Sequence, residues 1–310
     1  MSITRNLLRW PSLAKEPLKI LFSDKGLCVV DKPAGLVAQA GVDVAAQEAL
    51  AEKQWHKETT MEDHFEDLRT RLDLSEDHQI RTVHRLDKQT TGPLILALNQ
   101  AKAKDLANQF KAKTVEKSYV ALVSRYMYPD ERIVVPKNHK SWLRTDNGRV
   151  SIARSGEENA AEVETRWEWL GGNVDLNVSL IRMFPITGHK HQLRVFASHY
   201  LSAPVVGDGR YQFNDLSNTN NVHPIFNRKA FFVLPPDSLF LHCESITFNR
   251  YVRSTGKQIR QTVHSEIDYN WKRNLGLLSE RVDPKDEIWS RSFNPRGSPS
   301  PTPSVQEGDP

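Results

Sequence analysis

An α+β fold built on a mainly antiparallel sheet is what the hydrophobic pattern of this chain predicts. Short apolar runs of strand character recur from residue 18 to residue 248, and amphipathic helical stretches stand between some of them. Turn-forming residues join neighbouring runs as hairpins.

Leu18 to Val30 reads as strand, turn, strand, with Asp24, Lys25 and Gly26 supplying the turn. Asp31-Lys32-Pro33-Ala34-Gly35-Leu36 follows and, on physics alone, is a stiff turn. Residues 43–79 form a charged insert in which Met61, Phe65, Leu68 and Leu72 trace one face of a helix. The run Val83-His84-Arg85-Leu86-Asp87-Lys88-Gln89-Thr90-Thr91-Gly92 crowds an acid among cations and hydroxyls, then opens onto apolar Leu94 to Leu98. Asn99 is a helix cap, and Ala103, Leu106, Ala107 and Phe110 give the amphipathic face behind it. Lys117 to Val123 alternates as a strand.

Residues 135–160 and 212–238 read as polar loops. Val163, Thr165, Trp167 and Trp169 alternate, Gly171-Gly172-Asn173 turns, and Val174, Leu176, Val178 and Leu180 alternate back. Leu193, Phe196, Ala197 and Tyr200 share a helical face that starts near Gly188, and Phe240 to Phe248 is a late strand. We expect a basic segment at 1–17, a folded domain over 18–284 and a disordered Pro/Ser/Gly-rich tail over 285–310.

The bulk properties narrow the class. The 310 residues carry a net charge of +4, compatible with a nucleic-acid partner. No stretch approaches the roughly 20 apolar residues that span a bilayer. Cys28 and Cys243 stand far apart without metal-like spacing, which fits a reducing compartment. His189 and His191 lie two apart and do not share a helical face, so no metal is expected. A kinase loop would need Asn five residues after its Asp, where Gly92 stands. Gly207-Asp208-Gly209 lacks the third glycine of a dinucleotide fingerprint, and no cofactor is expected.

A carboxylate beside an arginine stays charged and can serve as a covalent nucleophile. The stretch His84 to Gly92 resembles the H-R-L-D-x-x-T-S/T-G motif of the RluA-like pseudouridine synthases. Asp31 to Leu36 is similar to that family's N-K-P-A-G-L block, with Asp in place of Asn. Lys117 to Val123 is similar to K-x-Y-x-A-L-V. Pro185 to Val195, with Pro204 to Tyr211, resembles T-G-R-x-H-Q-I/L-R-V and P-I/V-x-G-D-x-x-Y. His189 and Lys190 depart from the usual Arg and Thr/Ser, and Pro93 from the common leucine.

The resemblance covers about residues 18–250 and implies a central mixed, mainly antiparallel sheet with flanking helices and a catalytic cleft. It implies Asp87 as nucleophile, Tyr119 stacking on the target base, and Arg194 pairing with Asp87, with Arg85 also orienting the carboxylate. His84, Arg85, Thr91, Lys117, His189, Lys190, His191 and Gln192 are the expected substrate contacts. The partner is RNA, most naturally large-subunit ribosomal RNA with transfer RNA as the alternative substrate, and the protein is expected to be a monomer off the membrane. A catalytically weak ribosome-assembly factor on the same fold is the rival reading.

Residues 1–15 hold three cations and no acid, a transit-peptide composition that points to mitochondria. The whole resembles a fungal-type organellar relative. With so little chain ahead of Leu18, target choice is expected to come from the catalytic domain or a partner.

Overall fold

A computed structural model describes residues 13–39, 58–125, 127, 135–146, 148–173, 177–211, 239–252 and 255–267. Two sheets make the fold. The smaller is ordered β1 (Lys19–Asp24), β2 (Leu27–Lys32), β4 (Gly92–Ala97) and β3 (Arg81–Thr82). The larger runs β11 (Lys257–His264), β10 (Leu241–Val252), β5 (Glu116–Val123), β9 (Val178–Pro185), β8 (Ala160–Asn173), β6 (Asn138–Asp146) and β7 (Arg149–Ala153). Every pairing between these strands is antiparallel. The sheets meet at a parallel bridge between Thr91 and His242, which makes the whole mixed but mainly antiparallel, as expected.

Strands β2 and β4 explain their own continuous apolar runs, because both faces are covered. Cys28, Val30, Leu94 and Leu96 point into the main core, while Leu27, Val29, Ile95 and Ala97 point into a second core under Leu106 and Phe110. Leu106 and Phe110 belong to α2 (Gln100–Lys111), preceded by α1 (Phe65–Arg71). Asn99 caps α2 as expected, its side chain accepting from the Lys102 N–H at 2.9 Å. Gln109 pins α2 to β10, donating to the Asn249 carbonyl at 2.9 Å and accepting from its N–H at 2.8 Å.

The far end of α2 closes with Lys113 N–H donating to Phe110 and Thr114 N–H to Gln109. That closure holds Lys113 at φ +56, where glycine is the usual residue and a side chain costs about 1 kcal/mol or more.

Three expectations need correction. Residues 135–160 hold the β6–β7 hairpin rather than loops. Its apolar content is thin, yet Leu143 and Val150 are buried with Val163 against Val195 and Tyr211, directly behind the site described below. The glycines at 171 and 172 do not turn the chain. They continue β8, and the register skips Leu170 between Trp169 and Gly171, a bulge that a residue without a side chain accommodates. The helix near Gly188 starts later, as α3 (Gln192–Val195), and runs into a wide turn over Phe196–Tyr200. In the charged insert, Met61 and Leu68 are fully buried on a short turn and α1, as their spacing predicts. The expectations for residues 1–12, 40–57, 174–176, 212–238 and the tail lie outside the described residues.

Gly92 shows why the motif ends in glycine. Its φ is +117, and a Cβ there would stand 2.1 Å from the Cys243 carbonyl oxygen, where β4 leaves the bridge to β10. Gly92→Ala should therefore destabilise the fold by more than about 3 kcal/mol, combining backbone strain with a clash against backbone. Thermal or urea unfolding measures this, and a stability near wild type would contradict the sheet junction.

Candidate active site

The loop between β3 and β4 carries Asp87, and side chains far away in sequence hold it. Lys32, wholly buried at the end of β2, donates to the carbonyls of Pro33, Lys88 and Thr90, each at 2.9 Å. An ammonium has three hydrogens and each finds an acceptor. Burial pushes Lys32 down to about 7, and the Asp87 carboxylate pulls it back up. Gly35 N–H donates to the Lys88 carbonyl and Thr90 N–H to that of Asp87.

At the loop's end, Thr91 meets Nδ1 of His242 at 2.8 Å, and Nε2 of His242 meets the Ser265 carbonyl at 3.1 Å. A carbonyl only accepts, so the His242 proton sits on Nε2 and the Thr91 hydroxyl donates to Nδ1. The Ser265 hydroxyl then donates to Asp31, which closes a chain from β4 through β10 to β2.

Asp87 lies 3.3 Å from Nη1 of Arg194 and 3.8 Å from Nε2 of His191. The rest of the Arg194 fork is taken by Asp208, with Nε at 2.7 Å from one oxygen and Nη2 at 2.8 Å from the other. Asp208 is fully buried. Burial alone would raise its carboxyl, but the Arg194 hydrogen bond and charge, with the N–H groups of Arg210 and Tyr211, hold it below the usual range. Tyr211 lies beneath, its ring 5.1 Å from the Arg194 guanidinium and its hydroxyl 2.7 Å from Nδ1 of His191. His191 itself has a left-handed backbone, φ +52. Burial, then the charges of Arg194, Lys190 and Arg210, outweigh Asp87 and lower His191 to about 4.

These groups open onto a cleft of about 420 Å³ lined by residues from the stretches 83–90, 110–119 and 185–194. Tyr119 lines it from β5, in register opposite Cys243 of the neighbouring strand. Burial, then Cys243 and Asp87, raise the Tyr119 phenol well above 10, so it is a neutral phenol at physiological pH. Lys117 shares that face two residues away, and burial lowers it. His84 accepts from the Ile95 N–H at 2.9 Å and stacks on Phe110 at 4.7 Å. Burial, then Lys117, lowers His84 to about 3.

The structure thus brings Asp87, Tyr119, Arg194, His84, Arg85, Lys117, His189, Lys190, His191 and Gln192 to one cleft. Arg85 is exposed at its edge, and among the described residues Arg194 is the arginine that pairs with the Asp87 carboxylate. Gln192 spends its amide inside the protein, on Glu164, Thr165, Thr187 and His189, which stitches the loop to β8. Thr91 is buried against His242, and Thr90 takes its place on the cleft.

Sequence reasoning did not single out Lys32, Asp208 or Tyr211 as site residues. A lysine closing the apolar run Cys28-Val29-Val30 was the available signal for the first. The acid and aromatic after Pro204-Val205-Val206-Gly207 were the signal for the others.

An antiparallel sheet cleft with an arginine-held carboxylate, a buried tyrosine and a cationic lining defines an enzyme with an anionic substrate. The family model described as RNA pseudouridylate synthase matches residues 26–199, more than half of the chain, and the chain belongs to that family. It is an RNA pseudouridine synthase, an isomerase.

Ribosomal large subunit pseudouridine synthase C of Haemophilus influenzae is 27% identical over 282 residues, covering 90% of this chain and 73% of that protein. The tRNA pseudouridine synthase C of the same organism is 29% identical over 83% of this chain and 95% of its own length. Rat pseudouridylate synthase RPUSD4, mitochondrial, is 31% identical over 64% of this chain and 53% of itself. The solved structure of human RNA Pseudouridylate Synthase Domain Containing 4 shares the fold, with a TM-score of 0.56 at 23% identity over 84% of this chain and 93% of that one.

Lys32→Met should cut turnover at least about tenfold, because three carbonyls lose their donor and the Asp87 loop its anchor. Single-turnover kinetics would show it, and unchanged rates would remove Lys32 from the site's framework. The histidines set an acid limit. His84 and His191 stay neutral in the fold to about 3 and about 4, whereas an unfolded histidine takes a proton below 6.5. Protons then favour the unfolded chain, so stability falls as pH drops from 6.5 towards 4. Above 6.5 neither group contributes a slope. Melting temperatures from pH 8 to pH 4.5 should bend downward below 6.5, and less steeply in His191→Gln.

Proposed function

We propose that this enzyme converts a uridine of large-subunit ribosomal RNA to pseudouridine, with Asp87 as its nucleophile. The observation that carries the assignment is the seat of Asp87. It is the one acid among the described residues that line the cleft, and Arg194 offers it a single N–H while binding Asp208 with the rest of its fork. The carboxylate is oriented yet keeps room to react.

RNA entering the cleft must first unstack the target uridine, which costs a few kcal/mol. Tyr119 supplies a buried aromatic surface for the flipped base. Asp87 then attacks the nucleotide, in a bond that breaks again as the base rejoins the sugar, or takes the C2′ proton to give a glycal and returns it to C2′ at the end. In either route the bond from C1′ to N1 breaks, the base turns, a bond from C1′ to C5 forms and the C5 proton leaves. Nothing is oxidised or reduced. Because Tyr119 is a neutral phenol, its part in proton removal is to pass a proton through its hydroxyl rather than to wait as a base.

The ribosomal assignment is supported by the large-subunit relative, which aligns over 90% of the chain. Transfer RNA is the second reading, favoured by a relative whose own length is matched almost throughout. The basic start of the sequence and the mitochondrial relatives support action in mitochondria.

Mapping pseudouridines in total and organellar RNA from wild-type, deletion and Asp87→Asn cells tests all three points. Asp87→Asn should lose the site, with activity down by more than about a thousandfold in vitro and RNA affinity retained. A site kept by Asp87→Asn but lost on deletion would end the nucleophile assignment. The RNA that carries the lost site names the substrate.

A further inference from the structure

The cleft carries cations that the chemistry at Asp87 does not use. Arg85, Lys111, Lys113, Lys117 and Lys190 line it alongside Arg194. Arg194 is committed to two carboxylates and Lys117 is largely buried. Lys111 and Lys113 are exposed, stand at the C-terminal end of α2, and form no ion pair with a described residue.

A helix dipole favours a cation at that end, which accounts for Lys111. It does not account for Lys113, which occupies the left-handed position where glycine closes a helix without strain. The chain keeps a long cationic side chain at a backbone position that disfavours one, and that side chain lines the cleft.

We propose that Lys111 and Lys113 bind backbone phosphates of the RNA strand flanking the target uridine, on the α2 wall of the cleft. Gly188 to His191 line the same cleft from a segment distant in sequence, so the strand is held by two separate stretches of chain. The inference rests on the RNA reading above and adds a phosphate site that the motif residues do not include. Phosphate contacts position the strand and carry no sequence information, which suits two flexible, exposed lysines.

Counterion release makes each phosphate contact visible as a slope of log affinity against log salt. The probe is a fluorescein-labelled uridine-containing stem–loop RNA, since this part of binding does not depend on sequence. Wild type should bind it with steep salt dependence. In Lys111→Gln/Lys113→Gly the slope should shrink by about 1.5 to 2, close to one per lysine.

The melting temperature of that variant should hold or rise, because glycine relieves the left-handed backbone. A lysine with a purely structural role would not separate the two readouts. Lys113→Asn, which also tolerates this backbone, repeats the test should glycine loosen the helix end. Lys104→Gln, exposed on α2 but away from the cleft, is the control and should leave the slope within error.

A steep wild-type slope shared by the double variant would overturn the phosphate site and leave the RNA reading standing. Failure of wild type to bind the stem–loop even at low salt would overturn both.

Discussion

Lys32 is buried at the end of β2, and its ammonium is where the loop bearing Asp87 is tied to the sheet. The carbonyls it serves belong to residues 56 and 58 positions away, so the hydrogen bonds close a long loop as well as satisfy a charge. Burying a charge without partners is prohibitive, and here the partners are the backbone whose shape must be kept. A neutral amine could serve only two of the three carbonyls, so the fold favours the proton that burial disfavours. Asp87, whose charge pulls Lys32 upward, works in the same direction. The loop, the lysine and the carboxylate therefore stabilise one another.

On the opposite side of Asp87 the controlling pair is Arg194 and Asp208. A fully buried carboxylate with four donors around it is a fixed point, and it fixes the guanidinium in two places. A surface ion pair of this kind would contribute about 1 kcal/mol or less, whereas removing one member of a buried pair costs several. The geometry makes Asp208 the anchor and Asp87 the beneficiary. Tyr211 extends the arrangement, because it lies under the guanidinium and also holds His191 by Nδ1, so both groups facing Asp87 are set by the same segment, residues 208–211. The β6–β7 hairpin backs that segment with Leu143 and Val150, which is how a peripheral strand pair affects the centre.

Much of this was legible in the sequence. Strands β2, β4, β5 and β10 and helix α2 announce themselves because each buries an apolar face large enough to impose its period. The β6–β7 hairpin does not, because Leu143 and Val150 are its most buried apolar residues amid Lys140, Arg144 and Arg149. Gly171 and Gly172 were ambiguous for a physical reason: a missing side chain permits a turn and a bulge equally. Neighbours in sequence were a poor guide to neighbours at the site. Arg85 stands two residues from Asp87 and does not touch it, while Arg194 does from 107 positions away. Thr90 and Thr91 show the same limit, since adjacent residues of an extended chain face opposite ways. The convergence of Lys32 on two distant carbonyls has no local signature at all.

Backbone strain in this structure is not spread at random. Six non-glycine residues among those described have left-handed backbones, and Asp73, Asn159 and Asn177 are of the short polar types that tolerate it. Of the other three, Lys113 and His191 both line the cleft, one at the end of α2 and one at the start of α3. In each case the chain reverses sharply beside a helix and presents a nitrogen-bearing side chain to the same space. Glycine would relieve the backbone at both positions and would leave nothing there to meet an anion or a carboxylate. Strain of this size persists only where the surroundings hold it, and here the helix-closing hydrogen bonds of α2 and the Tyr211 hydroxyl do so. The cleft is thus the place where local preference yields to the placement of particular side chains, as expected if RNA and the Asp87 carboxylate set the requirements there.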